Sequence, residues 1–193
     1  MEGKGLRHNL ILFGPPGSGK GTQAELLREQ QGLDHIAPGD MLRENLAAGT
    51  ELGEMASSYM AAGKLVPDEI IVRMIRHRLE DGSSPHGFVL DGFPRTVAQA
   101  RELEQMLAEM ERPLDLVVVL DVPEPDLIER LTRRAGLEHR EDDRPEVVGQ
   151  RLAVYHDQTE PVLAYLRDRV PVVAVDGTPS VEEVHRSLLR MLV

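Results

Sequence analysis

Nine residues, Gly14-Pro15-Pro16-Gly17-Ser18-Gly19-Lys20-Gly21-Thr22, constrain what this 193-residue chain can fold into more than any other stretch. They follow an apolar run, Leu10-Ile11-Leu12-Phe13, and precede a helix-like segment, Gln23 to Gln31. Strand, glycine-rich loop and helix in that order form the context of a phosphate-binding loop. Glycines let backbone N–H groups converge on phosphate oxygens that bulkier residues would block. The helix N-terminus adds unpaired donors and partial positive charge. Lys20 adds a full charge able to follow the outer phosphates. The spacing Gly-x-x-x-x-Gly-Lys fits, but the next residue is Gly21 and the hydroxyl comes one later, at Thr22. The plain alternative is a Gly/Pro turn between strand and helix. Against it, the chain has only three lysines, Lys4, Lys20 and Lys64, so one falling in this loop by chance is improbable.

The rest of the chain supplies a parallel sheet around that loop. Five short apolar runs alternate with helical patterns: Leu10–Phe13, a weak one at His35-Ile36, Phe88–Leu90, Leu116–Leu120 and Val172–Val175. Unalternated apolar runs suit strands covered on both faces, joined by helical crossovers. Helical spacing marks Ile70, Ile71, Met74, Ile75 and Leu79, then Val97, Ala100, Leu103, Met106, Leu107 and Met110. The methionines on these stripes read as core filler. Ser180 and Glu183 form a capping-box pair ahead of Val181, Val184, Leu188 and Leu192. Pro161 should break or kink the helical segment 147–166. Aromatic residues make up 3%, so Leu, Val, Ile, Met and Ala must build the core. The length fits one α/β domain.

Two insertions interrupt the alternation. Some fifty residues separate the second run from the Phe88 strand, with helix starts at Gly39-Asp40 and Thr50 and stops at Gly49 and Gly63. They predict a small helical subdomain over 37–66. The second insertion, Arg133–Arg144, is short, charged and poor in apolar residues, and predicts an exposed, mobile flap.

Charge and composition narrow the partners. A net charge of −11 argues against a general nucleic-acid or anionic-membrane binder, so any anionic ligand must meet arginines gathered locally. The absence of cysteine excludes disulfides and thiolate metal sites, and the seven histidines show no metal-ligand spacing. No apolar run approaches membrane length, and Met1 to Asn9 does not read as a signal peptide; a cytoplasmic protein is expected.

The arginines are gathered where such a ligand would lie. Asp91-Gly92-Phe93-Pro94-Arg95-Thr96 directly follows the Phe88 strand, and ligands of open parallel sheets bind at carboxyl ends of strands. Asp91 is placed either to hold the water shell of Mg²⁺ or to serve as a turn residue or helix cap. Gly92 and Pro94 suggest a fixed turn that aims Arg95. The flap and its edges hold Arg130, Arg133, Arg134, Arg140, Arg144 and Arg151. Singly, each reads as a solvated surface residue. Together they suit phosphoryl transfer, in which positioning and charge neutralisation supply most of the catalysis. Asp142-Asp143 either orient flap arginines by bidentate pairing or form a solvated acidic loop.

With these residues in view, the chain resembles the adenylate kinases, nucleoside monophosphate kinases of the P-loop class. The resemblance runs from Leu10 to about Leu192. It rests on Gly14–Gln23, Gly39-Asp40-Met41-Leu42-Arg43, Gly63-Lys64-Leu65-Val66-Pro67-Asp68, Asp91–Arg95 with Gln99, and Arg140 to Arg151 with Asp142-Asp143. It implies a three-layer α/β/α fold with a five-stranded parallel sheet ordered 2-3-1-4-5. It implies a core of 1–36, 67–132 and 144–193, a monophosphate-binding subdomain of 37–66 and a short lid of 133–143. It implies ATP + AMP ⇌ 2 ADP with Mg²⁺ bound through water, no zinc in so short a lid, and a monomer.

The resemblance also assigns residues. Gly17, Ser18, Gly19, Lys20, Gly21 and Thr22 would wrap the ATP phosphates, with Arg130, Arg134 and Pro179 also against ATP. Pro38, Gly39, Arg43, Lys64, Leu65, Val66, Gly92, Phe93, Pro94, Arg95 and Gln99 would hold AMP. Arg140 and Arg151 would close over the phosphates, and Asp91 would order Mg²⁺.

Three positions depart from the pattern. Ala37-Pro38-Gly39-Asp40 stands where the family often reads Ser-Thr-Gly-Asp, so one side-chain contact to AMP is absent. His139 replaces a glycine before Arg140, and Pro179 a lysine near the ATP base. UMP/CMP kinases also lack the threonine, but typically place Asn where this chain has Thr96. A nucleotide sensor on the same fold would not need the full arginine set.

Overall fold

A computed structural model of the chain describes residues 8–82, 84–138 and 141–192. The first strand, β1 (His8–Phe13), ends at the glycine loop and helix α1 (Lys20–Gln31) begins inside it. Gly19 occupies the helix N-cap at φ 96°, a conformation that disfavours side chains. The helix therefore starts three residues before Gln23, the start expected from its pattern. Strand β2 (Asp34–Ile36) leads into α2 (Pro38–Ala47), α3 (Glu51–Ala61) and α4 (Asp68–Glu80). Strand β3 (Gly87–Asp91), α5 (Val97–Glu109), β4 (Leu116–Asp121) and α6 (Glu124–Glu138) follow. A 3₁₀ turn (Glu141–Asp143) then precedes α7 (Pro145–Val154), a π-turn (Tyr155–Thr159), α8 (Glu160–Arg167), β5 (Val172–Asp176) and α9 (Val181–Leu189).

The five strands form one parallel sheet in the order β2-β3-β1-β4-β5. Successive strand residues face opposite sides, and β1, β3 and β4 are buried on both, which is why those runs are apolar; β5, at the sheet edge, buries Val175 and leaves Ala174 exposed. Ile11 and Phe13 join Phe88, Leu90 and Val117 against α4, α5 and α8. Leu10 and Leu12 join Val89, Val118 and Leu120 against Ala24 and Leu27 of α1 and Val184 and Leu188 of α9. The order reverses direction between β1, β3 and β4, so a crevice opens at their carboxyl ends, above the glycine loop.

The expected helical insertion is the α2–α3 pair. Thr50 caps α3 by accepting the Gly53 N–H, and Gly53 lets the two helices meet: a Cβ there would lie 2.3 Å from the Leu46 nitrogen. Pro161 sits at the start of α8, where its missing N–H breaks no helical bond. The discontinuity falls just before it, in the π-turn. Of the stripe methionines, Met106 is fully buried and Met74 and Met110 pack against the core edge. The Ser180–Glu183 capping box forms. Among the described residues, no helix is long and apolar enough to cross a membrane.

The charged segment after Arg133 differs from the exposed flap expected. Its first half continues α6 to Glu138, so Arg133 and Arg134 are helical. Arg133, Leu137 and Arg144 are exposed as expected, but Asp142 is only 9% exposed and Asp143 not at all. Arginine partners from α6 and α7, Arg134 and Arg151, make that burial possible.

Candidate active site

The sheet crevice widens into a cleft of about 1200 Å³ between the glycine loop, the α2–α3 pair, and helices α6 and α7. Gly17, Ser18, Gly19, Lys20, Gly21 and Thr22 line it, as do Arg130, Arg134 and Pro179. So do Pro38, Gly39, Arg43, Lys64, Leu65, Val66, Gly92, Phe93, Pro94, Arg95 and Gln99, together with Asp91 and Arg151. Arg133 joins them, whereas Arg144 stands exposed at the start of α7, outside the lining. His139 and Arg140 lie outside the described residues.

Lys20 folds back over its own loop. Its Nζ donates to the carbonyls of Gly14 and Pro15, each at 2.8 Å, and to Ser18 Oγ at 3.3 Å. Burial pulls the Lys20 pKa down to about 8; Asp91 opposes that, while Arg95, Arg151 and Arg134 add to it. Burial likewise lowers Arg95 to about 10, with repulsion from Arg151 and Arg43 adding and Asp91 and Asp142 opposing. Burial is the main cause of both shifts, and the repulsion that adds to it shows that these cations lie close enough together for an anion to relieve them.

Five of the cleft arginines are held by nearby acceptors. Arg95 Nε donates to the Gly92 carbonyl at 2.7 Å, which fixes the turn after β3. Arg43 pairs with Asp40 one helical turn earlier and comes within 4.0 Å of Asp142. Arg134 grips Asp143 bidentately at 2.5 and 2.8 Å. Arg151 donates to the same carboxylate, to Asp142 Oδ2 at 3.0 Å and to the Asp142 carbonyl at 3.1 Å. Of the two readings of Asp142-Asp143, bidentate pairing is therefore the observed one, and the solvated loop is excluded. Arg130 donates to the Gly177 carbonyl at 2.9 Å, joining α6 to the Gly177–Pro179 turn.

Two further residues, to which the sequence assigned no role, shape the site. His35, on the three-residue strand β2, stands 3.6 Å from Asp91 on one side and 3.6 Å from Glu25 on the other. Burial would lower the His35 pKa, but the two carboxylates raise it overall. For Asp91 the balance runs the other way: burial would raise its pKa, yet His35 and Lys20 hold it below the ordinary value. Asp68 heads α4 and accepts from Gln99 Nε2 at 2.7 Å and from Thr96 Oγ1 at 2.8 Å. Among the described residues, no group of three or more His, Cys, Asp or Glu side chains could hold a metal by itself.

A glycine loop joining strand to helix, set at the switch point of a parallel 2-3-1-4-5 sheet and faced by paired arginines, defines a P-loop phosphotransferase fold. Comparison with known proteins narrows that class. The adenylate kinase family model matches residues 12–170. An adenylate kinase of Stenotrophomonas maltophilia (strain R551-3) is 48% identical over 180 residues, 93% of this chain and 96% of the relative. Adenylate kinases of Xanthomonas campestris pv. campestris (strain B100) and Caulobacter sp. (strain K31) are 49% and 47% identical over 91% and 93% of the chain, and 94% and 95% of their own lengths. The chain belongs to the adenylate kinase family, and it is a phosphotransferase.

Proposed function

We propose that this enzyme transfers the terminal phosphoryl group of ATP reversibly to AMP, giving two ADP, and so balances the adenine nucleotides of the cell. One observation carries the reading. One cleft is lined both by the phosphate loop and by Arg43 and Gln99, and within it Lys20, Arg95 and Arg151 act on one another electrostatically.

On this reading Gly17–Thr22 cradle the ATP phosphates through backbone N–H groups, and Arg130, Arg134 and Pro179 flank the ATP side. Pro38, Gly39, Arg43, Lys64, Leu65, Val66, Gly92, Phe93, Pro94 and Gln99 form the AMP side. Residues 37–66 act as the monophosphate-binding subdomain and 133–143 as the lid, on a core of 1–36, 67–132 and 144–193. Arg95 and Arg151, with Arg140, neutralise charge that builds on the equatorial oxygens of the moving group. Lys20 leaves the Gly14 and Pro15 carbonyls for the phosphates. Arg134 and Arg151 keep their carboxylate partners, because a guanidinium has five N–H donors and those pairs leave some for phosphate. The arginines are thus oriented before substrate arrives, which is the source of electrostatic catalysis. Enclosure by the lid excludes water that would otherwise hydrolyse ATP.

Mg²⁺ fits the residues present. Asp91 is kept ionised by His35 and Lys20, and its Oδ2 lies 3.3 Å from where a Cβ on Gly21 would be, a space that a larger residue would fill. A lone carboxylate beside bound phosphates suits an ion that keeps most of its water. Bound there with ATP, Mg²⁺ would neutralise charge on the phosphate oxygens. Asp91 would hold its water shell. We read the protein as a cytoplasmic monomer, in keeping with its acidic charge.

The test is an acceptor panel. Purified protein with Mg²⁺-ATP should turn over AMP far faster than CMP, UMP or GMP. Equal or better rates with CMP or UMP would make it a pyrimidine or broad-specificity kinase. Silence with every acceptor would make it a nucleotide sensor.

A further inference from the structure

The acceptor end of the cleft contains one amide whose orientation is dictated by its neighbours. Gln99 lines the cleft and is 2% exposed. Its Nε2 donates to Asp68 Oδ1 at 2.7 Å, and its Oε1 accepts the Arg95 backbone N–H at 2.7 Å. Asp68 is itself held, because its second oxygen accepts from Thr96 Oγ1 at 2.8 Å. Thr96 is in turn fixed as the cap of α5, where its Oγ1 accepts the Gln99 N–H at 3.1 Å. A carboxylate offers only acceptors and a backbone N–H only a donor. Turning the amide over would set oxygen against carboxylate and NH₂ against N–H, two unsatisfied contacts in a buried place.

A primary amide carries two N–H donors and two acceptor lone pairs. Asp68 takes one donor and Arg95 one lone pair, so one of each remains, at ends the network has already assigned. Pro38, which lines the same cleft, offers no donor to compete with this amide.

We propose that Asp68 is a positioning residue that sets which bases the acceptor site takes. It holds Gln99 so that the remaining N–H meets a ring-nitrogen acceptor and the remaining lone pair meets an exocyclic amine. This rests on the reading above that Gln99 faces the acceptor base. With the phosphate anchored by Arg43 and Arg95, the base arrives in one pose. Adenine and cytosine carry a ring nitrogen acceptor beside an amine. Hypoxanthine, guanine and uracil carry a ring N–H beside a carbonyl, which reverses both contacts. A site built around fixed hydrogen bonds rejects such a mismatch strongly, because its buried groups are left unpaired.

The experiment compares kcat/KM for AMP and IMP, which are matched in size and differ in this pattern. The wild type should favour AMP by at least about a hundredfold. Asp68→Asn offers Gln99 either a donor or an acceptor, so that only the Arg95 N–H still constrains its orientation. The ratio should then fall tenfold or more, through the acceptor KM, with the KM for ATP unmoved. Asp68→Glu should recover part of the ratio. In a Gln99→Leu background, Asp68→Asn should leave the ratio where Gln99→Leu put it. A folded Asp68→Asn protein with the wild-type ratio would overturn the proposal, as would an equal further loss in the Gln99→Leu background. The wild type alone supplies a second check: CMP should be a better acceptor than UMP, and the reverse would also overturn it. A wild type inert toward AMP would fail at the earlier step and remove the acceptor reading with it.

Discussion

Lys20 is the residue on which the phosphate chemistry converges, and its surroundings predict how activity follows pH. In the free protein, burial and neighbouring arginines bring its pKa down to about 8. Below that value the ammonium is charged and attracts phosphate; above it the charge is lost. The kcat/KM for ATP, which reports on the free enzyme, should therefore fall as pH rises through about 8. A flat profile from pH 7 to 9 would show that Lys20 does not contribute charge to ATP capture. Lys20→Ala should abolish turnover while leaving the circular dichroism melt close to wild type. Arg95→Ala should lower kcat by roughly a hundred- to a thousandfold, the usual scale for losing a charge used in the transition state. Turnover within threefold of wild type would remove Arg95 from the reaction.

At the scale of elements, the junction of α6, the 3₁₀ turn and α7 carries the sharpest stability prediction. Asp143 is fully buried between Arg134 of α6 and Arg151 of α7. Asp143→Asn removes the charge both guanidiniums share and should cost about 2–4 kcal/mol, since breaking a buried pair strands its partners. For a chain of this size that is roughly 5–15 °C in Tm, measurable by calorimetry. A shift below 1 °C would mean that the pair is solvated. The same junction marks the limit of what local sequence reveals. The four longer strands were legible because Leu10–Phe13, Phe88–Leu90 and most of Leu116–Leu120 are buried and Val172–Val175 is anchored by Val175 at the sheet edge, each leaving an unbroken apolar run. The caps at Thr50 and Ser180 were legible because their bonds close within three residues. The grip of Asp68 on Gln99 and the place of His35 between Asp91 and Glu25 were not, whereas the pairing of Asp142-Asp143 with arginines was one of two readings the sequence left open. The first two are polar contacts whose partners come from other elements, and no local pattern encodes them. Phosphate-loop residues were readable as a site because their function is a property of contiguous backbone. The roles assigned to the arginines came from family resemblance, since a lone arginine in sequence reads as surface.

For the molecule as a whole, the account predicts that the α2–α3 pair and the segment after α6 close over bound nucleotide. Gly63 already packs where a Cβ would lie 2.8 Å from Val147 Cγ1 of α7, and Arg43 reaches toward Asp142. A dinucleotide bridging both sites should slow hydrogen exchange in both segments together, and protection of only one would separate their motions. The central claim is phosphoryl transfer between two nucleotides in one cleft, and its most direct test is product stoichiometry. Purified protein, Mg²⁺-ATP and AMP should yield two ADP for each AMP consumed, with no ADP when AMP is omitted. One ADP per ATP with AMP untouched, and phosphate released, would contradict it: the cleft would then pass the phosphoryl group to water.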